Sequence, residues 1–245
     1  MKILLINPNT SAFVTERMVL AARTCLGEAA DVVGVTAERG PAIVGSRVEN
    51  LLAAGGALEL GAMHAHDADA VLLGISTDAG LAPLRELLTV PVVGMLEAAL
   101  LTACQLGGRI GLLTLGPRML PLYQEQAAAY GLTGRICGWR AIELPTAYGQ
   151  QPGPEVFDAV AAHAAAMVTE HALDVVVLSG AVLAGSRSAI QPRVPVPVVD
   201  GIEAAAWQAL ALASMRPAPH QTGSYTVARG RQLRGVPLDI ARRMA

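Results

Sequence analysis

Short, wholly apolar runs alternate along this chain with longer stretches of helical spacing. Lys2 to Ile6, KILLI, is the first run; Asn7-Pro8-Asn9-Thr10-Ser11 ends it, and Phe13 to Leu26 then places its apolar residues three and four apart. A strand, a loop of small hydrogen-bonding residues and a helix, in that order, open a parallel α/β unit. Asp31 to Thr36 reads as a second strand, Arg39-Gly40-Pro41 as a loop and Val48 to Ala65 as a helix. Val71 to Leu81, VLLGISTDAGL, is an apolar strand running straight into a small polar loop. Val90 to Val93 is a further strand, followed by a helix from Glu97 to Gln105.

The pattern then starts again. Arg109 to Thr114 repeats the opening strand, and Leu173-Asp174-Val175-Val176-Val177-Leu178 repeats Ala68-Asp69-Ala70-Val71-Leu72-Leu73. Val90-Pro91-Val92-Val93 with Glu97-Ala98-Ala99 returns as Val196-Pro197-Val198-Val199 with Glu203-Ala204-Ala205, 106 residues later. A repeat this long is a duplicated domain rather than a solenoid. The expected fold is α/β: two similar lobes with parallel sheets flanked by helices, related by a pseudo-twofold axis. One lobe takes residues 1–98 plus 206–245 and the other 99–205. Ligands bind at the carboxyl ends of strands in open α/β sheets, so Val71 to Leu81 and Val175 to Gly185 are expected to face each other across one active cleft. The tail from Ser214 is expected to return over the first lobe, with Arg229 to Arg234 a solvated face.

Composition narrows the class. Hydrophobic residues make up 53% of the 245 and charged ones 16%, which implies much buried surface and a homo-oligomer. Mean hydropathy is +0.45, yet no run of about eighteen apolar residues is free of charge, Gly or Pro, and no basic-then-apolar leader is read. The expectation is a soluble, cytoplasmic protein with no membrane partner. A net charge of −2 and an aromatic content of 3% offer nucleic acid neither a basic field nor a stacking platform. Cys25, Cys104 and Cys137 form no CxxC and suit a reducing compartment. With five histidines they show no metal-ligand spacing, and no glycine-rich phosphate loop follows a strand, so no cofactor is expected.

Ile6-Asn7-Pro8-Asn9-Thr10-Ser11, Gly40-Pro41, Asp78-Ala79-Gly80-Leu81, Val90-Pro91-Val92-Val93-Gly94 and Val196-Pro197-Val198-Val199-Asp200-Gly201 together resemble the aspartate/glutamate/hydantoin racemase superfamily, nearest its hydantoin and allantoin branch. Thr222-Gly223-Ser224-Tyr225 is similar too, so the resemblance spans essentially the whole chain. It implies dimers or larger assemblies and two facing cysteines, one thiolate removing a proton next to a carbonyl or carboxylate while the opposing thiol returns one. The family's first cysteine falls here, without gaps, on Ile75 (a shift of one residue places it on Ser76), and the second on Gly180. Neither residue exchanges protons, so the two-thiol mechanism does not carry over, and the three cysteines present read as small buried hydrophobes.

What the resemblance leaves is a binding cradle at the strand tips. Asn9, Thr10, Ser11, Ile75, Thr114, Ser179, Gly180 and Ala181 are the expected substrate contacts, and Ser76, Thr77, Asp78 and Tyr148 the expected catalytic groups. Hydroxyls and N–H groups at strand ends are suited to hold a carboxylate or an enolate oxygen. Asp78 is the one carboxylate beside the first tip and would serve as a base if turned inward; the alternative is a loop cap. Glu97 and Glu203 read as helix-start residues. Two function classes follow. One is a cofactor-independent isomerase, lyase or decarboxylase acting on a small cyclic amide or carboxylic acid; the other is a non-catalytic metabolite-binding or regulatory protein on the same scaffold.

Overall fold

The computed structural model describes residues 1–143, 152–230 and 232–245. The first half runs β1 (Lys2–Asn7), α1 (Ala12–Leu26), β2 (Asp31–Thr36), α2 (Arg47–His64), β3 (Ala70–Leu73), α3 (Leu81–Leu87), β4 (Val92–Gly94) and α4 (Met95–Leu106). The second runs β5 (Ile110–Leu115), α5 (Leu120–Ala129), β6 (Ile136–Ile142), α6 (Pro154–His171), β7 (Val175–Ser179), α7 (Arg187–Ile190), β8 (Val198–Asp200) and α8 (Gly201–Met215), with α9 (Leu238–Met244) at the end of the chain. The strands form two parallel four-stranded sheets of one order, β2-β1-β3-β4 and β6-β5-β7-β8. β1, β3, β5 and β7 are apolar along their length because helices cover both faces of each sheet.

β4 and β8 begin at Val92 and Val198, two residues later than the apolar runs suggest. Pro91 and Pro197 have no N–H to give a ladder, and each instead accepts through its carbonyl, from Val71 N at 2.8 Å and from Val176 N at 3.0 Å.

Three hydrophobic clusters hold the sheets. One packs α2 and α3 on the first sheet, and another packs α6 and α7 on the second. The third joins the inner faces of both sheets through α1, α4 and α8, from Ile3 and Leu72 on one side to Leu112 and Val177 on the other. α4 and α8 pack on each other, with Gln208 Nε2 donating to Ala98 O at 2.9 Å and to Thr102 Oγ1 at 3.0 Å. Each also lies on the opposite sheet, α4 against β7 and α8 against β3. α9 packs on α2 and α3, with Arg243 Nε donating to Ala62 O. No helix among the described residues is long and apolar enough to cross a membrane.

Candidate active site

The turn after β3 is built by close approach. A side chain at Gly74 would meet Ile6 O at 3.1 Å and the Met18 thioether at 2.8 Å, so a larger residue here would have to push the Met18 side chain aside. Gly74 N donates to Ile6 O, and Asp78 N closes a turn onto Ile75 O at 3.0 Å. The opposing tip is different. Gly180 sits at φ +134, where a side chain would touch nothing within 4 Å but would need a backbone angle that L residues rarely adopt. Any thiol placed at 180 would be strained.

A cavity of about 280 Å³ lies between these tips. Asn9, Phe13, Ile43, Ile75 and Ser76 line it from the first half; Thr114, Arg118, Tyr123, Glu143, Gly180 and Ala181 line it from the second. Ser76 Oγ and Tyr123 Oη are 2.7 Å apart, both buried, with exposures of 8% and 1%. Asn9 is locked from one side: its Oδ1 accepts from Asn7 Nδ2 at 3.0 Å and from Ser11 N at 2.9 Å. The N–H groups of Ile75, Ser76, Gly180 and Ala181 have no protein acceptor among the described residues.

Several expected contacts are engaged elsewhere. Thr10 N donates to Pro41 O and Ser11 Oγ to Ala42 O, pinning the 41–45 segment beside the cavity. Thr77 Oγ1 donates to Asn50 Oδ1 in α2. Ser179 is buried behind Gly180, its hydroxyl without a partner among the described residues. Tyr148 lies outside the described residues. The cysteines are half-buried in α1, α4 and β6, and burial pushes the Cys25 thiol up to about 11. Among the described residues no three His, Cys, Asp or Glu side chains gather to hold a metal ion.

Asp78 does not line this cavity. Its carboxylate accepts from Leu96 N at 2.9 Å, Glu97 N at 2.8 Å and the Tyr130 hydroxyl at 2.6 Å, capping α4 from a distant loop. A base turned inward is therefore replaced by a buried cap. Asp200 does the same for α8 from the residue just before that helix, accepting from Ile202 N and Glu203 N, with Gly185 N as third donor. Burial, the larger effect, lifts both carboxyls to about 6 despite these donors. Each folded-state value lies above that of the unfolded chain, so the stability they contribute is complete below about pH 4 and lost as pH rises towards 6. Relative to an Asp78→Asn/Asp200→Asn variant, wild-type stability is expected to fall in that window by up to about 1.4 kcal/mol per pH unit for each group, measured by denaturant unfolding.

Tyr123 is the functional-looking residue that the sequence reading passed over. Its signal was there: Met119, Leu122 and Tyr123 fall three and four apart, which buries a tyrosine whose hydroxyl must then find a partner. Arg118 and Glu143, exposed at the cavity, carried no such signal.

A family model described as Asp/Glu/Hydantoin racemase matches residues 3–209. The chain belongs to the Asp/Glu/hydantoin racemase family. A hydantoin racemase from Pseudomonas sp. (strain NS671) is 26% identical over 205 residues, 83% of this chain and 82% of the relative. The crystal structure of allantoin racemase from Pseudomonas fluorescens superposes with a TM-score of 0.89 at 30% identity, covering 96% of this chain and 100% of that one. Arylmalonate decarboxylase shares the fold, with a TM-score of 0.58 at 17% identity over 87% of this chain and 92% of that one. Within this family fold, Ser76 at the first tip pairs with the Tyr123 hydroxyl from the other half, and neither tip carries a thiol.

Proposed function

We propose that this protein is a cofactor-independent enzyme that acts next to a carbonyl or carboxylate of a small cyclic amide or carboxylic acid. It works through an enolate held in the cavity and without two-thiol proton exchange. The observation that carries the reading is the buried Ser76–Tyr123 pair on the cavity wall. Two hydroxyls in one hydrogen bond use one hydrogen between them, which leaves the second to donate to a ligand oxygen. With the N–H groups at the two tips that have no acceptor among the described residues, that donor faces charge developing on an enolate, where preorganised donors contribute most. Ile75 presents an apolar wall beside it, suited to a departing carboxylate.

Decarboxylation fits this arrangement best among isomerase and lyase chemistries. The C–C bond breaks, its electron pair passes into the enolate and CO2 leaves, so no base is needed to begin. The Ser76–Tyr123 hydroxyl then passes its free hydrogen to the reacting carbon and regains one from solvent water; Ile75 and Gly180 have none to give, so the proton arrives from one side and the product carries one configuration. The names of the relatives, hydantoin and allantoin racemases, place cyclic amides on the substrate panel, and the shared fold of arylmalonate decarboxylase adds arylmalonates.

An NMR time course in D2O with hydantoins, allantoin, arylmalonates and small dicarboxylates tests the reading. Conversion of one of them to a product deuterated at the reacting carbon is the expected result. The loss of both family acid/base positions favours a second reading, metabolite binding without turnover. Thermal stabilisation by a panel member that is never converted would establish that reading and overturn the first. We place the enzyme in the cytoplasm as a homo-oligomer, a state favoured by the exposed apolar side of α2, where Val48, Leu51 and Leu52 are 71%, 75% and 58% exposed.

A further inference from the structure

Two tyrosines at opposite ends of α5 reach one turn of the other half. Tyr123 and Tyr130 are seven residues apart, about two helical turns, and their hydroxyls meet Ser76 and Asp78, two residues apart after β3. α5 follows β5 of the second sheet, so these two bonds fasten a helix of one half to the cavity-lining turn of the other. Gly131, at φ +71, ends the helix just past Tyr130 and its N–H closes onto Ala128 O at 3.0 Å, which fixes where the second phenol points.

Capping α4 does not explain the second phenol. The cap uses the bonds from Leu96 N and Glu97 N, and Asp200 caps α8 with no tyrosine at all, its third donor being the backbone of Gly185. The first half differs in two linked ways: its capping carboxylate comes from the tip turn instead of the helix, and a phenol from across the molecule holds that carboxylate. Asp78 also adopts φ +53, which few non-glycine residues do, so the turn is held in a conformation that its surroundings must impose.

We infer that Tyr130 is a positioning residue for the reaction: through Asp78 its hydroxyl holds the Ile75–Asp78 turn where Ser76 meets Tyr123 at the cavity. The inference rests on the reading of that cavity as an active site. Tyr130 is not among the residues that line that cavity and borders, with Asp78, a second, more polar cavity of about 690 Å³.

The test uses the full chain with tyrosine labelled with carbon-13 at Cζ. Only four tyrosines are present, and Tyr123→Phe identifies the Tyr123 resonance by its loss. In Tyr130→Phe the Tyr123 resonance is expected to shift or split, and kcat on a converted panel compound to fall about tenfold with KM little changed. A Tyr123 resonance at its wild-type position in Tyr130→Phe, with kcat unchanged or with only the melting temperature lowered, overturns the inference and reduces Tyr130 to a stabilising contact. A moved resonance in a protein that converts no panel compound upholds the coupling of Tyr130 to Ser76 and sinks the enzymatic reading instead.

Discussion

Tyr123→Phe is expected to lower turnover of a converted panel compound by about 100-fold, the scale of removing one donor aimed at a developing oxyanion. Ser76→Ala should do the same, and the double variant should be little worse than either, because the hydroxyl left in a single variant has lost the partner that orients it and the pair acts as one unit. Initial rates of product formation for the three variants check this. A double variant slower by the product of the two single effects would separate the residues and refute the shared role. Folding is expected to survive, since the phenylalanine keeps the buried ring. The unpartnered Ser76 hydroxyl costs about 1 kcal/mol, roughly 2–4 °C in melting temperature for a chain of this size.

Gly94→Ala is expected to have the largest effect on stability. A Cβ there would stand 2.6 Å from Asp78 Cγ, 2.7 Å from its Oδ1 and 2.6 Å from Leu81 Cδ2. The carboxylate cannot retreat without leaving Leu96 N, Glu97 N and Tyr130, so overpacking and loss of the cap act together. About 3 kcal/mol is the expected loss, read as a fall of roughly 10 °C in thermal unfolding. Gly94 pairs with Leu73 in the first sheet as Asp200 pairs with Leu178 in the second. Copying the second half, by Asp78→Ala with Gly94→Asp, should therefore restore part of the loss by supplying the carboxylate from the residue just before the helix. A double variant no more stable than Gly94→Ala would show that the clash is not with the cap.

The two sheets were legible because buried parallel strands write themselves as unbroken apolar runs, and the duplication wrote them twice. Their starts were less so: Pro91 and Pro197 sit inside apolar runs but cannot donate to a ladder. The helix of Leu120–Ala129 went unread, since Pro121 and a mixed run of Gln, Glu and Ala mask its buried side. At the site, Asn9, Ile75, Ser76, Thr114, Gly180 and Ala181 were named from strand tips and line the cavity. Thr77 and Asp78 were named by the same reasoning and bond away from it. A hydroxyl or carboxylate in a tip loop looks the same in sequence whichever way it turns, and the turn is decided by partners such as Asn50 and Tyr130 that lie far along the chain. Tyr123 escaped for that reason, being 47 residues from Ser76.

The cluster that joins the inner faces of both sheets bears on how anything enters the cavity. α4 and α8 each lie on the opposite sheet as well as on one another, so the halves cannot swing apart like jaws without exposing Leu100, Ile202 and the apolar residues around them. At about 25 cal/mol for each Å² of apolar surface laid bare, such a motion carries a free-energy cost that grows with the area opened. The lining residues nearest the surface among those described include Ile43, Pro117 and Arg118, which are exposed. Among the described residues, Ile43 to Gly45 and Gly116 to Arg118 thus bear on the size of molecule admitted.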